Sequence, residues 1–513
     1  MASKLLRKTR DAAAEKALVR GQKALAEGRL SSAIAEFEDS LSYNDSLPDA
    51  LFGLARAADR LGDYRKAADF YGQILYRWPE EVRALANLAS VQVRLGEYAA
   101  ATDGLRQAIA KTPDVPALWL NLARVMLATG DLSNARVFLD EVLRLDGKSA
   151  AAFDNLADIS REEGDYPAAR DHYRRALALA PDDPQLHLNY SILLQTMGCL
   201  KECWDHYEWR LDARLSRAID YRHGLPRWQG GELAGRRLLV CAEQGLGDQI
   251  YFAACLGKLA AGGAELTVEC APRLAPLFAR SFSGMKIRPD EATSNEGRTI
   301  FHYDKGFEGV PPDLYIEIGS LPFFFCREAD ALTGCQPYLK ADSERTERFT
   351  SSLAALGPPP WIGLNWRSGK MTAERRREYL ALDDLAPLLG RQRATWINLQ
   401  YDGGQDELAG LAAGRGVTVH NIDGLDQKND VDGAAALINA LDRVIAVPTT
   451  VAQIAGALGV PTLKLARERP MTALGREREP FQPSVTPLFP ERPGDWPAVL
   501  RQLDRHLGEL LAA

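Results

Sequence analysis

Glycine recurs at equal intervals of 34 residues through the N-terminal part of this 513-residue chain. The glycines are Gly28, Gly62, Gly96, Gly130, Gly164 and Gly198. Alanine follows each of the earlier glycines after five residues, and a large apolar residue stands four positions further on. The alanines are Ala33, Ala67, Ala101, Ala135 and Ala169, and the large residues are Phe37, Tyr71, Leu105, Leu139 and Tyr173. A fixed period of this length indicates stacked helical units, since one unit alone leaves an apolar face uncovered.

The period and its small and large positions resemble the tetratricopeptide repeat, a helix-turn-helix unit. In that repeat the small residues let paired helices approach closely, and glycine turns the chain. The resemblance implies an α solenoid of about six repeats over 12–212, after a tail over 1–11. The first and last units are expected to be divergent caps.

Asparagine also recurs with the repeat period, at Asn87, Asn121, Asn155 and Asn189. These positions fall in the first helix of each unit, which lines the concave wall of such solenoids. An amide offers a donor and an acceptor, so a ladder of amides can hold a polypeptide backbone without reading its side chains. The ladder resembles the peptide-binding repeats of the eukaryotic O-GlcNAc transferase, and we expect a protein partner in this groove. In the alternative interpretation, each asparagine ties one repeat to the next by an internal hydrogen bond.

From Arg237 onward the period stops, and short apolar runs alternate with helical stretches, which predicts parallel sheets covered by helices. We predict a linker over 213–236, a first Rossmann-like lobe over 237–345, a second over 358–495 and a closing helix over 496–513. The predicted strands are 238–241, 266–269, 299–303 and 314–316 in the first lobe, and 361–366, 395–401, 417–422, 443–447 and 462–465 in the second. Two facing lobes of this class bind ligands at the carboxyl ends of their strands.

Composition argues against several classes of partner and compartment. The net charge of −7 argues against nucleic acid, which needs a basic face on the protein. Seven scattered cysteines are typical of reduced thiols, and we expect a cytoplasmic bacterial protein. No apolar run has the length of a membrane span, so membrane insertion is not expected.

Aromatic residues concentrate where the repeats end, at Trp204, Tyr207, Trp209 and Trp228. Such residues can form a platform for a sugar, or an apolar joint that holds the solenoid against the next domain. We favour the joint, which would fix the angle between the groove and the α/β lobes.

A loop with two glycines, Glu243-Gln244-Gly245-Leu246-Gly247-Asp248, follows the first predicted strand and precedes a predicted helix. A strand, a glycine-rich turn and a helix make up the ligand-binding crevice of α/β proteins. Gly245 and Gly247 allow the backbone to come close to a ligand. Asp248 lies at the start of the helix, where it either faces the crevice or serves as the N-cap, worth about 1 kcal/mol.

The second lobe carries a basic loop directly after its first strand, with Arg367, Ser368, Gly369 and Lys370. The two cations can neutralise phosphate or carboxylate, while Gly369 allows close approach of the backbone.

A second candidate loop opens a helix near the end of this lobe. Pro448 ends a predicted strand, and Thr449 and Thr450 begin the helix. The free N–H groups of a helix N-terminus suit a phosphate. The alternative is a well-capped core helix with no ligand.

Four motifs occur in this order along the chain: GLGDQI, IGLNWRSG, NLQY and TTVAQIAGALGVP. With these motifs the chain resembles bacterial proteins that fuse tetratricopeptide repeats to a glycosyltransferase domain. That domain is related to the heptosyltransferases of glycosyltransferase family nine, which have the GT-B fold. The resemblance covers nearly the whole chain. It implies a metal-independent enzyme that needs no cofactor beyond its nucleotide-sugar co-substrate. Some relatives of this architecture modify flagellin with a nonulosonic acid such as pseudaminic acid.

The resemblance also implies roles for individual residues. Asp248 matches the general base, in a loop shaped by Glu243, Gln244, Gly245 and Gly247. The positions implied for the donor are Arg367, Ser368, Gly369, Lys370, Gln400, Tyr401, Thr449, Thr450 and Gln453.

Two positions depart from the family pattern, which has Asp where this chain has Pro448 and His where it has Gln453. In heptosyltransferases that Asp helps to hold the donor sugar, so its loss indicates either a different donor or lost activity. We favour a different donor, because an acidic sugar would be repelled by an Asp but attracted by Arg367 and Lys370.

The leading hypothesis is a protein O-glycosyltransferase that transfers a sugar from a nucleotide-sugar donor to Ser or Thr of a protein. The favoured donor is a CMP-nonulosonic acid such as CMP-pseudaminic acid, and the favoured acceptor is flagellin. One alternative is a non-catalytic solenoid chaperone or scaffold with a degenerate enzyme domain. Another is a glycosyltransferase acting on a lipid or polysaccharide, which would leave the asparagine ladder unexplained.

Overall fold

The computed structural model describes residues 2–215, 218–243, 245–295, 298–307, 309–369, 375–390, 393–402 and 404–512. Its N-terminal part is a solenoid of helix pairs. The helices are α1 (Ala2–Ala26), α2 (Leu30–Tyr43), α3 (Pro48–Leu61), α4 (Tyr64–Arg77), α5 (Val82–Leu95), α6 (Tyr98–Lys111), α7 (Pro116–Thr129), α8 (Leu132–Leu145), α9 (Ala150–Glu162), α10 (Tyr166–Leu179), α11 (Pro184–Met197) and α12 (Leu200–Tyr207).

The periodic glycines lie in the turn between the two helices of each repeat. Gly62 and Gly198 end α3 and α11 with φ of +80° and +74°, a left-handed conformation that favours glycine. The next residues start the second helix, where Asp131 and Asp165 accept hydrogen bonds from the backbone N–H groups three residues further on. Turn and cap therefore repeat together, which explains why the period is strict.

The periodic alanines and large apolar residues form the core of the solenoid, as predicted. All five alanines are fully buried, and Phe37, Leu105 and Leu139 are equally inaccessible. One boundary differs, because α1 begins at Ala2 and includes residues 2–11 of the predicted tail. That stretch holds no proline or glycine and is rich in Ala, Leu, Lys and Arg, which are good helix formers.

The first α/β lobe is built on a four-stranded parallel sheet. Its strands are β2 (Arg237–Cys241), β3 (Glu265–Cys270), β4 (Lys286–Pro289) and β7 (Leu314–Glu317), in the order β4-β3-β2-β7. Its helices are α13 (Leu246–Ala253), α14 (Leu256–Ala260), α15 (Ala275–Ser281) and α16 (Leu321–Phe325). β2 and β7 are neighbours although the chain visits β3 and β4 between them, so the crevice of this lobe opens after these two strands.

A separate three-stranded sheet covers one face of β2. It contains β1 (Ile219–Tyr221), β5 (Ala292–Asn295) and β6 (Arg298–Phe301), in the order β1-β6-β5. The predicted strand over 299–303 therefore belongs here and not to the main sheet, and part of the predicted linker over 213–236 is its partner. The cause is packing, since Phe301 and Tyr221 join Leu239 in one apolar cluster.

The second lobe has a six-stranded parallel sheet. Its strands are β8 (Trp361–Asn365), β9 (Thr395–Asn398), β10 (Val419–His420), β11 (Arg443–Ala446), β12 (Thr462–Leu465) and β13 (Val485–Leu488), in the order β10-β9-β8-β11-β12-β13. Counted within the lobe, this order is 3-2-1-4-5-6, the doubly wound arrangement of nucleotide-binding sheets. β13 was not predicted, because its Pro487 is typical of a loop, and it lies at the sheet edge where proline is tolerated.

The helices of this lobe are α17 (Ser343–Leu356), α18 (Leu382–Leu389), α19 (Gln405–Arg415), α20 (Val431–Asn439), α21 (Thr450–Leu458) and α22 (Trp496–Ala512). α17 occupies the stretch left between the predicted lobes and packs against α20. Arg345 of α17 forms an ion pair with Asp430 at the start of α20. In the described ranges, no helix is both long enough and apolar enough to cross a bilayer.

The later repeats lie against the second lobe through their turns. A Cβ atom on Gly198 would come within 2.8 Å of the Leu474 carbonyl oxygen, whereas one on Gly62 would meet nothing within 4 Å. Arg161 of α9 pairs with Glu468 at 2.6 Å, and Arg467 pairs with Glu162. The solenoid is thus fixed to the lobe by backbone contact and by charge.

The aromatic residues at the end of the solenoid form the predicted joint. Trp204 is buried, and its Nε1–H donates to the carbonyl of Cys326 in the first lobe at 2.9 Å. Trp228 packs on Phe324 with ring centres 4.4 Å apart. Trp209 stacks on His187 of α11 at 4.0 Å, so it remains within the last repeat.

The contact at Gly198 predicts a difference between two equivalent turns. Gly62→Ala should destabilise the chain by about 1 kcal/mol, the cost of a left-handed alanine. Gly198→Ala carries the same conformational cost and also displaces the Leu474 backbone, so its loss should be clearly larger. Denaturant unfolding followed by circular dichroism measures both. Equal losses would contradict close docking of the last repeat on the lobe.

Candidate functional site

One large cavity, with a volume of about 830 Å³, lies between the two lobes and the last repeat. The loop after β2 and the start of α13 form one wall, through Gly245 and Asp248. The start of α21 forms the facing wall, and Ile192 and Thr196 of α11 close one side. Both lobes therefore present the carboxyl ends of their strands to the same space, where α/β proteins bind ligands.

Asp248 lies in the first turn of α13 and lines the cavity. It is not the N-cap, which is Gly245. Instead, one Asp248 carboxylate oxygen accepts the Gly245 N–H at 3.1 Å. Burial raises the pKa of Asp248 above its ordinary value, and the Gly245 hydrogen bond opposes this only in part. A half-buried carboxylate with a raised pKa, facing a cavity, has the properties of a general base.

Glu243 does not itself line the cavity, although the loop that it begins does. Its buried carboxylate pairs with Arg210 at 2.8 Å and accepts the Gly319 N–H at 2.6 Å. Burial raises its pKa, while the Arg210 charge lowers it. Glu243 therefore ties the end of the solenoid to the loops that follow β2 and β7. Gln244, predicted in the same loop, lies outside the described residues.

The start of α21 lies close to the loop that carries Asp248. Thr449, Thr450 and Gln453 all line the cavity, as does Gly247. A Cβ atom on Gly247 would come within 3.6 Å of Thr450 Oγ1, so the two loops are in near contact. Thr449 is the N-cap residue of α21, but its hydroxyl donates to Asn365 at 2.5 Å and makes no capping hydrogen bond within the described residues. The first N–H groups of a helix have no partner within the helix, so those at the start of α21 can donate to an anion.

Gln453 carries a further signal of a ligand. Its side chain is only 8% exposed, and its Oε1 has no hydrogen-bond partner within the described residues. A buried acceptor without a partner costs free energy, so such groups usually await a water or a ligand.

The basic loop after β8 is only partly at the cavity. Ser368, Gly369 and Tyr401 line it, and the Gly369 N–H donates to the Tyr401 hydroxyl at 3.0 Å. Arg367 and Gln400 are not among its lining residues. Lys370 lies outside the described residues.

Arg367 and Gln400 have structural partners instead of the predicted donor contacts. The Arg367 guanidinium is neutralised by Asp402 and by Glu407, the latter at 2.6 Å. The buried Gln400 amide accepts from Asn365 at 3.0 Å and donates to Asp402. An arginine held by two carboxylates has little charge left for a donor, which argues against the predicted role of Arg367.

Several lining residues were not predicted from the sequence. They are Arg273, Lys428, Lys464, Arg467 and Arg469, with Ile192 and Thr196 from the solenoid. Arg273 follows β3 and Arg467 follows β12, so their positions after parallel strands were a usable signal. The sequence contains no such signal for Ile192 and Thr196, because α11 reaches the cavity only through packing of the repeats against the lobes.

The asparagine ladder is engaged largely inside the solenoid. Asn121 donates to the Ala86 carbonyl of the preceding repeat at 3.0 Å, and Asn189 donates to Asp154 of the preceding repeat at 3.2 Å. Asn155 is buried and donates to Ala151 within its own helix, while Asn87 is half-buried. These bonds favour ties between repeats, the alternative interpretation, over a ladder of amides facing a peptide.

Comparison with known proteins identifies the repeats and one relative. Residues 24–90 and 93–159 match a tetratricopeptide repeat model, and 157–198 match a second TPR repeat model. The N-terminal region therefore consists of tetratricopeptide repeats. The chain is 32% identical over 341 residues to Protein FlbA of Caulobacter vibrioides, a match covering 65% of this chain and 57% of FlbA. The chain thus spans little more than half of that relative's length.

Solved structures also match part of the chain. A thermophilic TPR protein of Thermus thermophilus is 26% identical, with 36% of this chain and 99% of that chain covered and a TM-score of 0.33. The pilF protein of Pseudomonas aeruginosa is 22% identical, with 40% and 91% covered and a TM-score of 0.32.

The hydrogen bond from Asn121 predicts a loss of stability on its removal. Asn121→Ala should lower the free energy of unfolding by about 1 kcal/mol, because the Ala86 carbonyl loses its partner. Asn87→Ala is the matched control at the same repeat position, and it should change stability by no more than about 0.5 kcal/mol. If Asn121→Ala left stability unchanged and instead weakened binding of a polypeptide, the result would favour asparagines that hold a polypeptide over ties between repeats.

Proposed function

We propose that the chain is a protein O-glycosyltransferase of GT-B architecture, which transfers a sugar from a nucleotide to a Ser or Thr hydroxyl. The observation that carries this proposal is one cavity with a carboxylate of raised pKa, Asp248, on one wall and an open helix N-terminus, that of α21, on the other. Such a cavity pairs a base for the acceptor with a site for the leaving phosphate.

The reaction would proceed as a direct displacement. The Asp248 carboxylate takes the proton of the acceptor hydroxyl as that oxygen forms a bond to the anomeric carbon of the sugar. The bond from the anomeric carbon to the phosphate oxygen breaks, and the nucleotide leaves with the electron pair. The N–H groups at the start of α21 stabilise the charge that develops on this phosphate. The configuration at the anomeric carbon is inverted.

The solenoid would supply the acceptor. Tetratricopeptide repeats bind other proteins through their concave face, and Ile192 and Thr196 on the first helix of the last repeat also line the cavity. A polypeptide held along the repeats would therefore end beside the cavity that Asp248 lines. The best candidate acceptor is flagellin, supported by the resemblance of the motifs to flagellin-modifying relatives.

The donor would be a CMP-nonulosonic acid such as CMP-pseudaminic acid. Pro448 stands at the cavity where the family has an aspartate, so no carboxylate at that position repels an acidic sugar. The unpartnered Gln453 Oε1 offers an acceptor to a sugar hydroxyl or N–H group.

Intact-mass analysis tests the proposed function directly. Flagellin is co-expressed with this chain and a nonulosonic-acid pathway, and an added mass of whole sugar units is expected. Asp248→Asn should abolish the added mass, and Asp384→Asn, at the same position of α18, is the matched control that should not. No added mass together with no nucleotide binding would leave a solenoid scaffold as the function.

The raised pKa of Asp248 makes two further predictions. Transfer should need the ionised form, so the rate should rise with pH through a pKa above the usual range of an aspartate and then level off.

Because folding raises the pKa of Asp248, its charged form destabilises the folded state at neutral pH. This destabilisation is lost as the pH falls from the raised pKa to the ordinary pKa of an aspartate. Asp248→Asn should therefore leave the thermal midpoint at pH 7 unchanged or higher while activity is lost. A lowered midpoint would instead indicate a structural role.

A further inference from the structure

The charged residues that line the cavity divide into those with ion-pair partners and those without. The cations are Arg273, Lys428, Lys464, Arg467 and Arg469, and the carboxylates are Asp248, Glu378, Asp402 and Glu468. The division decides the charge that a ligand meets, because a neutralised side chain contributes little to the field in the cavity.

Most of these charges are neutralised within the protein. Lys464 is buried in an ion pair with Glu479. Arg467 pairs with Glu162 and lies 3.9 Å from Glu378. The other two carboxylates also have arginine partners, with Glu468 held by Arg161 and Asp402 by Arg367. Among the described lining residues, Asp248 is the remaining carboxylate, and three cations also have no ion-pair partner: Arg273, Lys428 and Arg469.

Arg469 is half-buried, whereas the other two remaining cations, Arg273 and Lys428, are exposed. It lies 5.0 Å from the centre of the Phe489 ring and donates to the Gly475 carbonyl at 3.3 Å. These contacts hold Arg469 in place and leave Arg273 and Lys428 as the cations most open to a ligand.

Arg273 and Lys428 come from opposite lobes and meet across the cleft. Arg273 lies in the turn after β3, and Lys428 lies in the loop between β10 and α20. Arg273 Nη1 donates to the backbone carbonyl of Lys428 at 2.6 Å, which places the Arg273 guanidinium beside the Lys428 backbone, and both residues line the cavity. Both side chains are exposed to the cavity and solvent.

No carboxylate forms an ion pair with either of them within the part of the chain that the structure describes. Asp426 attracts Lys428 at longer range, but its oxygens already accept hydrogen bonds from Asn429. Two cations that line one cavity create a positive potential there, which attracts an anion. A guanidinium is also suited to hold carboxylate or phosphate through two parallel hydrogen bonds.

We propose that Arg273 and Lys428 form an anion-binding pair across the cleft that holds a negatively charged group of the donor. The inference rests on the proposed function for the identity of the donor, and it adds the residues that select it. The anionic group is either the phosphate of the nucleotide or a carboxylate on the sugar. In both cases the ligand joins the two lobes through one contact from each.

Calorimetric titration of the full chain distinguishes these sources. The probes are cytidine, CMP, CMP-N-acetylneuraminate, which adds a sugar carboxylate, and UDP-N-acetylglucosamine, which has a neutral sugar. Arg273→Gln and Lys428→Gln should each weaken binding of the anionic probe by about tenfold, and Arg273→Lys should retain part of it. Arg236→Gln and Lys340→Gln are matched controls, since both residues are exposed and neither lines the cavity.

The pattern across probes assigns the contact. Loss for CMP-N-acetylneuraminate alone identifies the sugar carboxylate, and equal loss for every phosphate-bearing probe identifies the phosphate. Unchanged affinities for all probes overturn the anion-binding pair and leave the proposed function standing. An equal loss that includes uncharged cytidine also overturns it, because a merely structural contact between the lobes would act in that way. If the unaltered chain binds no nucleotide, the proposed function fails and the pair fails with it.

Discussion

The buried ion pair between Arg210 and Glu243 connects all three parts of this protein. Arg210 ends the solenoid, Glu243 begins the loop that carries Asp248, and the same carboxylate accepts the N–H of Gly319 after β7. A side chain on Gly319 would overlap Glu243, so the glycine is required for this contact. Removing one partner of such a pair leaves an uncompensated buried charge and costs about 3–5 kcal/mol.

This arrangement explains how a loop with two glycines can hold a carboxylate in place. Glycine-rich loops lose much backbone freedom on folding, so a defined geometry needs restraints at both ends. Glu243 restrains the loop at its start, and the Gly245 N–H bonded to Asp248 restrains it at its end. Near contact between Gly247 and Thr450 adds the second lobe as a third restraint. The candidate base is therefore positioned by groups from the whole chain.

Local patterns in the sequence predicted the solenoid and most strands, because both follow from short-range rules. The strict glycine period reflects a left-handed turn and a cap in each repeat, and the apolar runs at 238–241 and 443–447 are buried parallel strands. β6 was placed in the wrong sheet, because pairing with β1 joins segments far apart in the chain. Such pairing depends on which apolar face needs covering, and no local window contains that information.

The candidate site shows the same division. Asp248, Thr449 and Thr450 follow strands of the doubly wound kind, so their convergence on one cavity was predictable. Arg367 was predicted to bind the donor because it is a cation in the right loop, yet Asp402 and Glu407 neutralise it. A charge seen in a sequence says nothing about its partners. The solenoid side of the cavity could not be predicted from the sequence either, because it forms only when the repeats pack against the lobes.

Helix α17 has a consequence for how the chain unfolds. It follows the first lobe in sequence but packs on α20 of the second, and Arg345 binds Asp430 there. Arg280 of α15 in the first lobe pairs with Asp432 of α20, close to the same point. Separating the lobes would break both ion pairs and expose the largest apolar cluster, which holds residues of both lobes. Melting of one lobe would therefore remove the support of the other, and we expect the two lobes to unfold as a single cooperative unit.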